Sequence, residues 1–193
     1  MQSDNSQLGV FQREYLWELS IPEKQLSTLA ESIPAEVYGW RPAEDARAFS
    51  AVLVHVAAGS WMLLYCAEVR SPEVLEWCGP AEGEGMSKCL AMVHKSLSLE
   101  KAITDKAAVI FLLKRSFAIV REAFMETTDK TLAASRNMFG EKTTLRRIYM
   151  RMLAHAHEHM GQAIAYARCM GFQAPWPDYV KEMERIVANT RTS

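Results

Sequence analysis

The sequence lacks the cysteine spacing of a disulfide framework or a cysteine zinc site. Its four cysteines, Cys66, Cys78, Cys89 and Cys169, form no CxxC pair, so reduced thiols in a reducing compartment are expected. The chain begins with a polar run, residues 1–5, in place of a secretory signal. No apolar run comes near the ~18 residues that span a membrane. A cytoplasmic protein without a membrane partner is therefore predicted.

The charge pattern disfavours nucleic acid and anionic lipid as partners. The formal net charge is −1, with no charge block and no basic stripe, so long-range attraction to nucleic acid is not expected. With 193 residues, 49% hydrophobic and 23% charged, the chain is long enough for one sizeable core. We predict a single soluble domain over residues 1–193, with its core at about 8–171.

Apolar residues recur at helical spacing through most of the chain, and no segment alternates with the period of a strand. The predicted helices are Leu8–Ile33, bent or broken at Pro22 where Ser20 could cap a restart; Phe49–Val69, capped by Ser50; Met86–Leu97; Leu99–Glu126; Thr143 or Thr144 to Gly171; and 178–188. The loop-like run Trp77–Gly85 is a candidate lid or rim. The pattern predicts an all-α four-helix bundle with short additional helices.

Three of the five histidines lie in the predicted fourth long helix. At about 100° per residue, His155 and His159 share the inward face, while His157 points about 200° away from His155. An inward i, i+4 pair of imidazoles suits a divalent metal ion but needs a third ligand. His55 is the candidate, because it lies in a helix that is apolar nearly all round. His94 has no metal-like spacing and is expected to be exposed.

Other interpretations of these histidines remain open. A zincin protease is not supported, because the second histidine of HExxH is absent after His157. On a strand, His155, His157 and His159 would line one face and form a different three-ligand site. All the imidazoles could also be hydrogen-bonded structural residues. Near the inward pair, Gln162 could orient bound water or substrate, or hydrogen-bond the end of a neighbouring helix. Glu158 is either a candidate carboxylate behind the ligands or an ordinary surface glutamate.

Three motifs in the same order resemble the DinB family. The segment from His155 to Gln162, followed by Tyr166, Arg168 and Gly171, is similar to that family's HxxxHxGQ helix. Residues 53–57 resemble its second-helix histidine motif and residues 38–42 the connection before it. This sequence has Met160 where a basic residue is common, which puts an anion-binding role there in doubt.

The resemblance implies an antiparallel four-helix bundle of DinB/YfiT-like type, often a homodimer. It also implies a divalent metal ion held by His55, His155 and His159, with zinc or nickel favoured, and in some relatives a low-molecular-weight thiol. We therefore expect a metal-dependent enzyme that activates a thiol or water, leaning towards thiol S-transferase-like and otherwise hydrolase-like. The alternative is a non-catalytic bundle stapled by metal that serves as a sensor, an interaction module or a stress-response protein.

Overall fold

The computed structural model describes residues 8–78, 85–176 and 179–190, and their fold is all-α apart from one small hairpin. The helices are α1 (Val10–Ser32), α2 (Phe49–Cys66), α3 (Pro72–Cys78), α4 (Gly85–Ala102), α5 (Lys106–Met125), α6 (Asp129–Leu132), α7 (Leu145–Cys169) and α8 (Tyr179–Thr190). The hairpin, which the sequence reading missed, pairs β1 (Ser135–Met138) with β2 (Glu141–Thr144) in antiparallel register. The predicted fold class is confirmed.

The bundle consists of α1, α2, α5 and α7, where α1 and α2 each pack against both α5 and α7. The rings of Tyr15 and Tyr149 lie 5.7 Å apart, and one turn earlier Arg146 lies 5.2 Å from the ring of Phe11. Contacts in this order mean that α1 and α7 run in the same direction. Ion pairs link α1 to α5 in the opposite order, Glu23 with Arg121 and Glu31 with Lys114. Hence α5 runs against α1.

The start of α2 lies beside the end of α1, because the Tyr38 hydroxyl donates to the Ala30 carbonyl and the Tyr38 ring contacts Phe49 with centroids 5.4 Å apart. Hence α2 also runs against α1 and parallel to α5, so the chain has to return along the bundle between them, through α3 and α4.

The 18 residues of α4 extend about 27 Å and pack against α2. The sequence analysis predicted that one helix ends at Leu97 and the next begins at Leu99, and this prediction is wrong. The helix continues to Ala102, and α5 starts after Asp105, whose side chain accepts a hydrogen bond from the Ala108 amide at 2.9 Å. An aspartate N-cap of this kind favours the start of a new helix.

The most apolar element is α2, which occupies the centre of the core. Its 18 residues have a mean hydropathy of 1.6, so by length and composition it could cross a membrane. The expectation that no apolar run approaches such a length was therefore wrong. In this structure 83% of the helix is buried, which is also the property of a core helix in a bundle.

Two predicted helix starts are corrected by the structure. Pro22 lies inside a continuous α1, and the Ser20 hydroxyl donates to the Trp17 carbonyl at 2.6 Å instead of capping a restart. Ala48 is the N-cap of α2; Ser50 is buried, and no hydrogen-bond partner of its hydroxyl is found among the described residues.

The boundaries of the histidine helix agree with the prediction. The Thr144 hydroxyl accepts a hydrogen bond from the Arg147 amide at 3.3 Å, so Thr144 is the N-cap of α7. Gly171 follows the end of the helix with a φ of +87°, a conformation that glycine adopts without strain. Of the proposed lid, residues 79–84 lie outside the described part of the chain, as does Asp178 at the predicted start of the last helix.

Candidate metal centre

Three imidazoles meet between α2 and α7. His55 comes from α2, and His155 and His159 come from adjacent turns of α7. One nitrogen from each ring lies within 4.8 Å of the others. The ring centroids are 5.0 Å apart for His55 and His155, 4.6 Å for His55 and His159, and 4.5 Å for His155 and His159. The structure thus brings together the residues proposed as ligands, in a group that could hold a metal ion.

A carboxylate from the crossover helix holds His55. The Glu100 side chain of α4 is buried, and its Oε1 lies 2.7 Å from His55 Nδ1, while Arg47 Nε donates to its Oε2 at 2.7 Å. Burial by itself raises the pKa of Glu100, but the hydrogen bonds and charges of His55 and Arg47 outweigh it, so the pKa lies below its ordinary value. An ionised carboxylate only accepts. His55 therefore donates from Nδ1 to Glu100, and its other ring nitrogen, Nε2, faces the His155 Nε2 at 3.2 Å.

A second set of hydrogen bonds, through Gln162 and Tyr166, holds His159. Gln162 Oε1 accepts from His159 Nδ1 at 2.8 Å, and Gln162 Nε2 donates to the Tyr166 hydroxyl at 3.0 Å. The rings of Tyr166 and Trp40 pack edge to face, with their centroids 5.5 Å apart. His159 is thereby fixed in the tautomer that leaves Nε2 without a proton. The predicted role of Gln162 towards bound water or substrate stays a prediction, because its partners among the described residues are His159 and Tyr166.

His155 has its place because α2 has no side chain at Gly59. A Cβ built at Gly59 would lie 2.4 Å from His155 Cε1 and 3.0 Å from its Nδ1, well inside van der Waals contact. Gly59 is four residues after His55, so both lie on the same face of α2. The His155 ring thus packs against bare backbone, with its Nε2 at 3.2 Å from His55 Nε2.

Burial disfavours the charged form of His155 and His159. It lowers the pKa of His155 from 6.5 to about 3, with further lowering from the charges of His159 and His55. Burial also lowers the pKa of His159, followed in size by the opposing effect of the Gln162 hydrogen bond and by the charge of His55. Neutral imidazole is the form that binds metal.

Acidification should destabilise the metal-free protein through His155. The unfolded chain protonates this residue below its ordinary pKa of 6.5, whereas the folded chain does so only near 3. Between these values the unfolded state binds more protons. The free energy of unfolding should then fall as the pH is lowered, by up to ~1.4 kcal/mol per pH unit for this proton. Urea unfolding of metal-stripped wild type and His155→Asn from pH 7 to 4 measures the effect; equal pH slopes would contradict it.

The remaining sequence candidates lie apart from this group. Glu158 is exposed and forms a two-point ion pair with Arg151, both contacts at 2.9 Å, so its suggested place behind the ligands was wrong. His157 Nδ1 donates to the Leu153 carbonyl of its own helix at 3.0 Å. His94 is exposed, as predicted. Because the segment is helical, the alternative site on a strand is excluded.

The donor set fits a divalent transition metal. His55 and His159 both commit Nδ1 to acceptors and leave Nε2 available. Two nitrogens bound to one tetrahedral zinc at 2.0–2.1 Å would lie about 3.3 Å apart, and the Nε2 atoms of His55 and His155 are 3.2 Å apart. Without an ion, the same 3.2 Å separation fits a hydrogen bond between the two Nε2 atoms in which one of them carries a proton.

A groove of about 690 Å³ adjoins the group. Glu100 and Gln162, the side chains that hold His55 and His159, both line it, as does Tyr166. Its wall also contains charges of both signs, among them Arg41 and Lys101 and the carboxylates of Glu44 and Asp45. The groove is large enough for a small-molecule ligand.

Sequence reasoning missed Glu100, Arg47 and Gly59. Only Gly59 had a signal, because a glycine at i+4 from His55 marks a close approach to the same face. Glu100 is 45 residues from His55 in the sequence and meets it only because α4 returns along α2, and Arg47 joins the site through its contact with Glu100.

Comparison with known proteins agrees with this architecture. The model of the DinB superfamily matches residues 19–163. A DinB-like protein from Bacillus cereus ATCC 10987 superposes with a TM-score of 0.64 at 16% identity, over 86% of this chain and 97% of the other. DinB-like YjoA from Bacillus subtilis gives a TM-score of 0.52 at 15% identity over the same shares. At these identities the structures show the fold alone, and no curated protein matches the sequence. Because the family model covers most of the chain, the protein belongs to the DinB superfamily.

Proposed function

We propose that His55, His155 and His159 hold a divalent transition metal ion, zinc or nickel, and that the protein is an enzyme acting on a small molecule. One observation carries the proposal: two separate hydrogen-bond networks, through Glu100 and through Gln162, engage the Nδ1 atoms of His55 and His159, so that each of these rings has its Nε2 left as the nitrogen that could bind a metal ion. Such partners behind the ligands are characteristic of functional metal centres.

Three imidazoles leave at least one position open for a ligand from solution. When bound, the ion would act as a Lewis acid and lower the pKa of a thiol or water towards neutral. The chain's own groups would orient the reactants. The groove beside Glu100 and Gln162 would bind the rest of the molecule, and Arg41 and Lys101 offer positive charge to an anionic part of it. A thiol transfer reaction fits this arrangement better than a buried staple, which needs no groove.

Metal content tests the first part of the proposal. Wild type purified without added metal should contain close to one equivalent of transition metal per chain, measured by elemental analysis. His155→Ala removes one of the three ligands and should retain little. His157→Ala is the matched control, since it changes an imidazole of the same helix outside the group and should retain the wild-type content. An absence of metal from wild type after reconstitution with zinc and with nickel would refute the proposal.

Turnover tests the second part. The metal-loaded protein is incubated with a panel of low-molecular-weight thiols and electrophilic acceptors, and loss of free thiol is followed against the metal-free protein. Metal-dependent consumption with at least one pair is expected. Stoichiometric metal without any turnover, combined with failure of added thiols to perturb the spectrum of the cobalt-substituted protein, would favour the non-catalytic staple or sensor.

A further inference from the structure

Tyr166 brings a hydroxyl group to the groove that adjoins the three histidines. Both Tyr166 and Gln162 line this groove, and the Tyr166 hydroxyl lies 3.0 Å from Gln162 Nε2. The half-buried Trp40 packs against the phenol ring at an interplanar angle of 75°. Trp40 belongs to the connection between α1 and α2, which also lines the groove through Gly39 and Arg41. Contacts on two sides therefore position the hydroxyl beside the groove.

The proton of this hydroxyl is available to a molecule from solution. A phenol group can donate one hydrogen bond and can also accept. In the part of the chain that the structure describes, the Tyr166 hydroxyl accepts from Gln162 Nε2, and no residue accepts a hydrogen bond from it. The groove thus has a donor in its wall that a bound molecule could use.

Metal binding at His159 would keep this donor available. If the Gln162 amide were turned over, Oε1 would accept from Tyr166 and Nε2 would donate to His159 Nδ1. That arrangement needs a lone pair on Nδ1, and in the neutral ring it needs the proton on Nε2. It is incompatible with a metal ion on Nε2, because a ligand nitrogen has to be unprotonated. The metal-bound form therefore requires the observed contact, in which Gln162 Oε1 accepts from Nδ1 at 2.8 Å.

The charges that line the groove do not by themselves favour a ligand of one sign. Three lining side chains are cationic and three are acidic: Arg41, Arg47 and Lys101, and Glu44, Asp45 and Glu100. Recognition then depends on directed hydrogen bonds. A hydrogen bond to an ionised acceptor is roughly twice as strong as one between neutral groups. A carboxylate oxygen is therefore the partner that the Tyr166 hydroxyl would stabilise most.

We propose that the Tyr166 hydroxyl donates a hydrogen bond to a carboxylate oxygen of the small molecule whose thiol binds at the metal centre. The inference rests on the proposed function and deepens it, because it assigns a carboxylate to the substrate and a residue that recognises it. Gln162 contacts both His159 and Tyr166. It is the positioning residue that links the metal centre to this donor.

A series of thiols tests the contact. The cobalt-substituted protein is titrated with mercaptoacetate, mercaptopropionate, mercaptobutyrate and propanethiol, and Kd is measured from the sulfur-to-cobalt absorption. Wild type should bind at least one of the carboxylates more tightly than propanethiol, which has the thiol alone. Tyr166→Phe keeps the ring that packs against Trp40 and removes the donor. It should weaken binding of that carboxylate by about tenfold or more, as for a lost hydrogen bond to a charged group, and leave propanethiol unchanged.

Tyr65→Phe is the matched control, because Tyr65 is also half-buried but lines a different cavity, of about 320 Å³. This variant should bind every thiol as wild type does. Equal weakening of propanethiol and the carboxylates in Tyr166→Phe would mean that Tyr166 only supports Gln162, and would overturn the inference. Unchanged carboxylate binding in Tyr166→Phe, or no preference of wild type for a carboxylate, would overturn it as well. A wild type that binds none of the thiols would refute thiol binding in the proposed function, and the inference with it.

Discussion

Replacing Gly59 with alanine should lower the metal affinity by at least ~100-fold. A methyl group at this position meets the His155 ring at 2.4 Å, and the ring has no room to remain beside His55. Either His155 rotates away from the group or α2 and α7 separate. Both outcomes break the close approach of the two Nε2 atoms, which are 3.2 Å apart. Competition titration with a chromophoric zinc chelator measures the change.

Gly161→Ala is the control for this substitution. Gly161 also lies within a histidine-bearing helix, but it is exposed and a Cβ there would meet no atom within 4 Å. Alanine is the better helix former by up to ~1 kcal/mol, so this variant should be as stable as wild type or more so, with unchanged affinity. Wild-type zinc affinity in Gly59→Ala would mean that His155 is not a ligand in the position seen here.

The second large effect is expected for Glu100→Gln. The amide can still accept the hydrogen bond from His55 Nδ1, but it carries no charge, so the His55 ring becomes less basic and binds a metal ion more weakly. Arg47 also loses its buried counter-charge. Substitutions behind metal ligands commonly cost 10–100-fold in affinity, and we expect about this loss for zinc. The same chelator titration measures it, with thermal unfolding alongside because a buried ion pair has also been broken.

Glu158→Gln provides the comparison. It is the same chemical change at a carboxylate beside His157 and His159 in sequence, but its partner is the exposed Arg151. Its zinc affinity should stay within about twofold of wild type, as for other exposed ion pairs. Equal losses in the two variants would show that net charge, and not the contact with His55, is responsible.

Local sequence determined much of this protein. The helical recurrence of apolar residues predicted the all-α bundle, and the i, i+4 spacing placed His155 and His159 on one inward face while turning His157 away. Thr144 and Gly171 correctly marked the ends of α7. These features are readable because caps, helical periodicity and backbone freedom at glycine act within a few residues.

Some local signals were misleading where the tertiary context is stronger. Pro22 predicted a bend or break in α1, but the proline lies buried in a continuous helix. The hydrogen bond that is lost because proline has no amide N–H is a local cost, whereas the packing of both halves of α1 against α5 and α7 stabilises the whole helix. Ser50 likewise had the side chain of an N-cap, but the helix starts one residue before it and its hydroxyl is buried.

Only the tertiary structure decided what surrounds the three histidines. Since α2 and α5 run in the same direction, the chain must return through α4, and this return brings Glu100 against His55 from 45 residues away. No periodicity encodes such a contact, because it depends on how three helices pack. The sequence by itself placed two imidazoles on one face and a third in a buried helix; packing placed Gly59 beneath His155 and supplied the carboxylate that directs His55 towards the other two.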